Sequence, residues 1–262
     1  DEGADVTWRS VEALKHIGRR GRLHRLDAEG AGQRGCRLPG TPERRYNDEF
    51  DAGVGTGADQ ILAICQRDGL EVNRLQHLFL THAHGDHGGG AAHLRDRAPV
   101  TVYAAASTAR IVSAGDEAAV SLPAARKAGI YPLDYVYRAC PVAQVLAPGQ
   151  VIEIDQLRIE VIPTPGHSHD HTSYLVAGAG SHLQGKRYLV GGDAIFWGGR
   201  IVWQNIYDFS ITESIASIER LATYDFEALL PGHLNFSLKA GKRHIDAACA
   251  TIEKLGCPPS IG

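Results

Sequence analysis

At 262 residues the chain can form one large domain or two small ones, and 44% apolar residues supply a sizeable core. A formal net charge of −3 offers no electrostatic handle on nucleic acid or an acidic membrane surface; no apolar run approaches the ~20 residues that span a bilayer, and no charged-then-apolar leader opens the chain. Five cysteines without a Cys-x-x-Cys pair fit reduced thiols and a cytoplasmic setting better than a disulfide framework.

Residues 1–50 form an atypical segment. Positions 18–49 are dense in Arg and Gly with few β-branched residues, and Tyr46-Asn47-Asp48-Glu49-Phe50, where a core strand would lead into Asp51, is mostly polar. Propensity does not make a well-packed strand of it. The pattern is compatible with a mobile extension, a solvent-facing edge or a stretch that is not the natural sequence. As a basic nucleic-acid arm it would lack the interleaved aromatics of a stacking platform.

Further on, residues 58–67 read as a helix with Ile61, Leu62, Ile64 and Cys65 on its apolar side, and residues 75–80 as a buried strand. Directly after Leu78-Phe79-Leu80 comes Thr81-His82-Ala83-His84-Gly85-Asp86-His87, with four ligand-type side chains in six positions. His82 and His84 suit one ion, and Asp86 and His87 a neighbouring one. Imidazole with a minority of carboxylate is a ligand set for zinc, and it also admits manganese, iron or cobalt. Gly88-Gly89-Gly90 then enters a helix at Ala91, whose first turn must approach the site closely, where side chains would not fit.

Residues 100–103 read as a strand. Residues 107–137 are helical in pattern but broken by Pro123, Gly129 and Pro132, as expected for an insertion lying over a site and carrying specificity. Strands follow at 142–146, 151–154, 157–162, 172–176 and 187–190, then amphipathic helices at 212–221 and 238–255, the second stopping at Gly256 before Pro258-Pro259. Three of the apolar runs end alike, in a Gly or Pro turn and one ligand-type residue: Pro165-Gly166-His167, Gly191-Gly192-Asp193 and Pro231-Gly232-His233. A sheet delivers side chains to one edge in this way.

This series, His-x-His-x-Asp-His followed by separate His, Asp and His motifs, resembles the signature of the metallo-β-lactamase superfamily over about residues 51–233. The resemblance implies an α/β fold, a four-layer αβ/βα sandwich with the site on one edge, in a hydrolase domain over 51–262. It implies two Zn2+ per chain, with His82, His84 and His167 on the first ion, Asp86, His87 and His233 on the second, and Asp193 bridging. Asp51 in Phe50-Asp51-Ala52-Gly53 matches the Asp that supports the ligand loop without touching metal. His171 matches a further His of the family and is expected behind the ligands as a hydrogen-bond partner, while His169 has an equal claim to plain surface.

Departures within the superfamily narrow the expected reaction. Flavodiiron-type members carry Glu where His84 stands, persulfide dioxygenases leave the second metal position unfilled, and true β-lactamases of the closest subgroup lack the bridging Asp. Glyoxalase II-type thioesterases add a helical domain after the last His, where this chain has 29 residues. Processing nucleases add a large RNA-gripping module. The resemblance is therefore closest to the lactonase and small-ester hydrolase branch. It implies a dinuclear zinc enzyme that uses a metal-bridging hydroxide on a small lactone or ester, with Asp86 passing the proton to the leaving group. Phosphotriester, thioester or β-lactam hydrolysis on the same centre, or a metal-binding module without catalysis, are the alternatives. Phe196, Trp197, Trp203 and Tyr207 either wall the substrate pocket or form an ordinary aromatic core cluster. The expected partner is a small molecule, with no nucleic acid and no membrane, and the sequence carries no signal for an oligomeric state.

Overall fold

The computed structural model describes residues 36–37, 47–67, 71–154, 157–178 and 185–261, so most of the atypical 1–50 segment lies outside the described residues. Strands β1 (Cys36–Arg37), β2 (Asn47–Phe50), β3 (Leu75–Phe79), β4 (Thr101–Ala105) and β5 (Gln144–Leu146) form one sheet in that order, parallel except for the β1–β2 pair. A second sheet runs β10 (Ala228–Pro231), β9 (Arg187–Gly192), β8 (Thr172–Gly178), β7 (Leu157–Pro163), β6 (Val151–Ile154), antiparallel except for β9–β10. Six α-helices are described: α1 (Ala58–Arg67), α2 (Ala91–Arg97), α3 (Ala106–Ala114), α4 (Leu122–Lys127), α5 (Ile211–Ala222) and α6 (Lys242–Ile252).

The layering follows from period-two alternation, which sends successive side chains to opposite sheet faces. In β8, β9 and β10, Tyr174, Val176, Tyr188, Val190, Ala228 and Leu230 face the first sheet and meet Phe50, Phe79 and Leu146. Their neighbours Leu175, Leu189 and Leu229 face outward onto Ile218 and Leu221 of α5 and Ile245 of α6. On the far side of the first sheet, Leu78, Val102 and Ala104 pack with Ile61 of α1, Leu94 of α2 and Val112 of α3. Helices, sheet, sheet and helices thus make four layers. The seam centres on Phe50 and Phe79, whose rings stack at 5.3 Å, each such buried side chain being worth about 1.5–3 kcal/mol relative to exposure.

Two expectations need correction. The polar stretch before Asp51 does form a strand: β2 pairs with β1 on one side and β3 on the other, and Phe50 is buried in the seam. Backbone pairing on both flanks and one aromatic anchor outweigh weak propensity. The helix expected from 238 starts at Lys242 instead, because Ser237 exchanges backbone hydrogen bonds with Leu229 at 2.8 and 2.9 Å and Gly241 N–H donates to Glu227 O, which hold the preceding residues against β10. By contrast, the helix read over 58–67 has those bounds, with the apolar side buried. Ser210 caps α5 by accepting from Glu213 N.

This topology collects one set of strand ends. β2, β3, β7, β9 and β10 all finish on the same edge, where Thr172 N–H donates to Thr81 O at 2.8 Å and ties the second sheet to the loop after β3. Among the described residues no helix is long and apolar enough to cross a membrane, and Cys65, Cys140, Cys249 and Cys257 are free thiols.

Candidate metal centre

The loops leaving those strand ends bring all seven expected ligand residues together. His82, His84 and His167 form one group, and Asp86, His87 and His233 another. His82, His87 and Asp193 form a third between them, with the ligand-type atoms of each group within 4.8 Å of one another. Asp193 Oδ2 is the common point, lying 3.4 Å from His87 Nε2, 3.5 Å from His167 Nε2 and 3.1 Å from His233 Nε2. Asp86 Oδ2 sits 3.2 Å from His233 Nε2, while its Oδ1 accepts a 3.0 Å hydrogen bond from Tyr131 OH.

Hydrogen bonds behind the imidazoles set which ring nitrogen faces inward. Asp51 accepts from Thr81 N at 2.7 Å and from Thr81 Oγ1 at 2.8 Å, and its Oδ2 lies 2.9 Å from His87 Nδ1. A carboxylate can only accept, so His87 donates its Nδ1–H to Asp51 and turns Nε2 to the centre. Thr81 Oγ1, having donated to Asp51, accepts from His82 Nδ1 at 2.9 Å, which again leaves Nε2 inward. His84 is reversed: Nε2 lies 3.0 Å from Asp208 Oδ2, and Nδ1 faces His167 Nε2 at 3.0 Å. His171 uses both nitrogens elsewhere, with Nε2 accepting from Asp193 N at 2.9 Å and Nδ1 donating to Thr164 Oγ1 at 2.8 Å. It therefore stands behind Asp193 and holds the loop that presents it.

The electrostatics divide the centre. Burial, aided by the surrounding imidazoles, drives His82 well below the usual histidine range, and burial does the same to His167 against the pull of Asp193. Burial likewise takes His171 down to about 3. His233 is held up at about 9, because Asp193 and Asp86 overcome its burial. His87 is raised well above its ordinary value despite burial by Asp193, Asp86 and Asp51. Asp193 is pulled well below the usual carboxylate range, chiefly because the raised His233 and His87 beside it outweigh its burial. A group of carboxylates that raises adjacent histidines is a place that favours added positive charge.

Two buried atoms test whether a cation fits. His82 Nε2 and Asp193 Oδ1 find no hydrogen-bond partner among the described residues, a situation that costs about 1–3 kcal/mol per group and calls for an explanation. Both belong to the donor groups described above, so coordination would satisfy them. Backbone packing leaves no slack there: a Cβ on Gly232 would strike Asp193 Oδ1 and approach His87 Cε1 to 2.7 Å. The close approach expected at Gly88-Gly89-Gly90 is made by all three, though to no ligand side chain: a Cβ would strike the Tyr137 hydroxyl at Gly88, the Gly85 carbonyl of the ligand loop at Gly89 and the Ala52 carbonyl at Gly90, beside the Gly90 N–H to Gly53 O bond of 2.7 Å.

Over the centre opens a cavity of about 550 Å³, floored by His84, Asp86, His167, Asp193 and His233. Of the four aromatics named from the sequence, Trp203 lines it. Phe196 is buried, with its ring 6.1 Å from that of His233. Trp197 packs on His244 and Arg243, at 4.5 and 4.9 Å. Tyr207 donates its hydroxyl to Ala119 O at 2.6 Å, beside exposed His169. The other wall comes from residues 120–131.

Several participants carried no motif. Asp208 behind His84 and Tyr131 on Asp86 are separated from their partners by 124 and 45 residues. The Gln204 side-chain amide lies 2.9 Å from His167 Nδ1. Asp170 lay inside the Gly166–His171 run, where its position beside a ligand was the available signal; it accepts from Ala83 N and Thr108 Oγ1, each at 2.9 Å, and so pins the His82–His84 turn.

A family model described as the metallo-beta-lactamase superfamily matches residues 50–233, from the strand before Asp51 to the last histidine of the centre. The chain belongs to that superfamily. Among superfamily relatives, a hydroxyacylglutathione hydrolase of Xylella fastidiosa is 27% identical over 179 residues, 68% of this chain and 54% of the relative. A beta-lactamase-like protein 2 homolog of Caenorhabditis elegans is 24% identical over 62% of this chain and 43% of its own length. The chain thus spans about half the length of the curated relatives it matches. Solved metallo-β-lactamase structures share the fold. One from Cronobacter sakazakii with a HARLDQ motif superposes with a TM-score of 0.65 at 22% identity over 84% of this chain and 86% of its own. BJP-1 of Bradyrhizobium japonicum gives 0.62 at 16% identity over 80% and 82%.

Proposed function

We propose that this superfamily member is a dinuclear zinc-dependent hydrolase that opens or cleaves a small lactone or ester. The observation that carries the proposal is the position of Asp193 Oδ2, within 3.1–3.5 Å of three inward-facing histidine nitrogens at the floor of an open cavity. In this reading His82, His84 and His167 hold one ion, Asp86, His87 and His233 the other, and Asp193 both. Two zinc ions so held would supply a hydrolytic nucleophile from water at neutral pH and polarise the acyl oxygen. Asp86 reaches the cavity with one oxygen engaged by Tyr131, so its carboxylate is oriented to carry a proton from attacking water to the departing alkoxide. Thioester hydrolysis is the second reading, favoured by the several relatives named hydroxyacylglutathione hydrolase. The free thiols agree with a cytoplasmic setting.

Elemental analysis of purified protein is expected to give two zinc ions per chain, with hydrolysis of a nitrophenyl ester abolished by chelator and restored by zinc. One tightly held iron, or zinc binding without turnover of any ester, lactone or thioester, would overturn the reading. A second expectation concerns Asp208. Its carboxylate fixes the His84 tautomer, and outer partners of this kind are worth about 10–100-fold in metal affinity. Asp208→Ala should therefore weaken zinc retention by that factor in a chelator competition, with Asp208→Glu recovering part of it. Unchanged retention in Asp208→Ala would show that His84 does not need this support.

A further inference from the structure

We infer that the substrate is an uncharged acyl compound whose apolar chain lies between α4 and the 202–206 loop; this rests on the hydrolase reading above. The cavity has two chemically distinct halves. Its floor is the His and Asp centre. Its walls are mostly apolar, with Val120, Ala124, Ala125 and Ile130 on one side and Trp203 and Ile206 on the other, and their polar members Ser121, Gln204 and Asn205 are uncharged. Among the described residues that line it there is no Lys and no Arg, and its only carboxylates are those of the centre. The arginine nearest in sequence, Arg126, is turned to Glu117 through two hydrogen bonds of 2.8 Å and is not among the lining residues.

An anionic group extending along these walls would lose water with no cation to meet it, whereas an alkyl or aryl group would gain from leaving water. The peptide carboxylates of a glutathione thioester are therefore poorly served here, although a centre of this kind could cleave the thioester bond itself. The groove is also held in shape before anything binds. Trp203 donates its indole N–H to Pro258 O at 3.3 Å, and its backbone N–H bonds Ser260 Oγ at 3.3 Å. Ile201 N–H donates to Pro259 O at 3.0 Å and Ile261 N–H to Ile201 O at 2.9 Å, so the last residues buttress that wall. Across the groove, the Tyr207 hydroxyl bond to Ala119 O ties the loop to the insertion. A preformed apolar groove converts chain length into affinity because little ordering remains to be done.

The test is a chain-length series on the zinc-loaded protein: nitrophenyl acetate, butyrate and octanoate, a glutathione thioester, and calorimetric binding of octanamide against acetamide. The expected result is a rise in kcat/KM of about fourfold per methylene until the groove is filled, octanamide binding at least tenfold tighter than acetamide, and the neutral octanoyl ester preferred over the glutathione thioester. Ala125→Phe, which fills the groove, should reduce octanoyl turnover and octanamide binding at least tenfold more than it reduces acetyl turnover. Should that variant fold poorly, Ile206→Arg serves instead, and should shift preference toward an ester bearing a terminal carboxylate. Equal kcat/KM along the series, or a preference for the glutathione thioester in the unaltered protein, overturns the inference while leaving the hydrolase reading intact. No turnover of any ester combined with tight octanamide binding sinks the hydrolase reading but keeps the groove assignment, and equal binding of the two amides refutes that assignment.

Discussion

Asp193→Ala should lower ester hydrolysis by on the order of a thousandfold in zinc-supplemented buffer, with the secondary structure and cooperative unfolding retained. The size of the effect follows from geometry. One oxygen of this side chain stands within 3.5 Å of His87, His167 and His233, so its removal takes a shared carboxylate from both halves of the centre. Retention of the fold follows from how the loop is held: Asp193 N–H donates to His171 Nε2, Gly232 N–H donates to Gly192 O, and neither bond involves the carboxylate. Asp193→Asn offers a finer comparison, since it keeps the shape and removes the charge. Circular dichroism, zinc stoichiometry and turnover measured on one preparation decide the matter. Turnover within tenfold of the unaltered protein would exclude the shared role.

Asp51→Ala is expected to damage both stability and the centre, costing about 3–5 kcal/mol in denaturant unfolding, as breaking a buried charged pair does. The carboxylate is buried and holds Thr81 through its N–H and its hydroxyl, and His87 through Nδ1. Without it those donors lose their acceptor in a place that water does not readily reach. Backbone geometry adds to the cost, because Asp51 has φ of 61°, a left-handed conformation that Asp, Asn and Gly tolerate better than Ala. Asp51→Asn should accordingly recover part of the lost stability, because it suits that conformation and keeps one acceptor for Thr81. Asp51→Gly separates the terms by restoring backbone freedom without restoring any hydrogen bond. Zinc retention should fall alongside in the Ala and Gly variants, since His87 loses the partner that sets its tautomer. A loss under 1 kcal/mol with unchanged zinc retention in Asp51→Ala would refute the anchoring role.

Legibility in the sequence tracked distance along the chain. His82, His84, Asp86 and His87 could be read together because ligand chemistry packed into six positions of one loop is a local signal. His167, Asp193 and His233 could be added because each follows an apolar run and a Gly or Pro turn, a pattern produced by a strand reaching the edge of its sheet. The helix over 58–67 was legible for the same reason, its apolar side repeating with helical period. The start of α6 was not, since residues 237–241 have an apolar pattern that admits a helix while backbone bonds to β10 hold them out of it.

The sequence by itself determined the candidate donor residues, the alternating strands and the likeness to a superfamily, all of which depend on residue type and short-range spacing. Only the tertiary structure decided that Asp193 Oδ2 lies among three histidine nitrogens, that Asp208 and Asp51 set the inward faces of His84 and His87, and that Trp203 lines the cavity while Trp197 packs on His244. Those facts depend on how two sheets stack and where loops 45–124 residues apart meet. Hydrogen-bond direction and cavity walls arise from such long-range contacts, which leave no periodic mark on the chain.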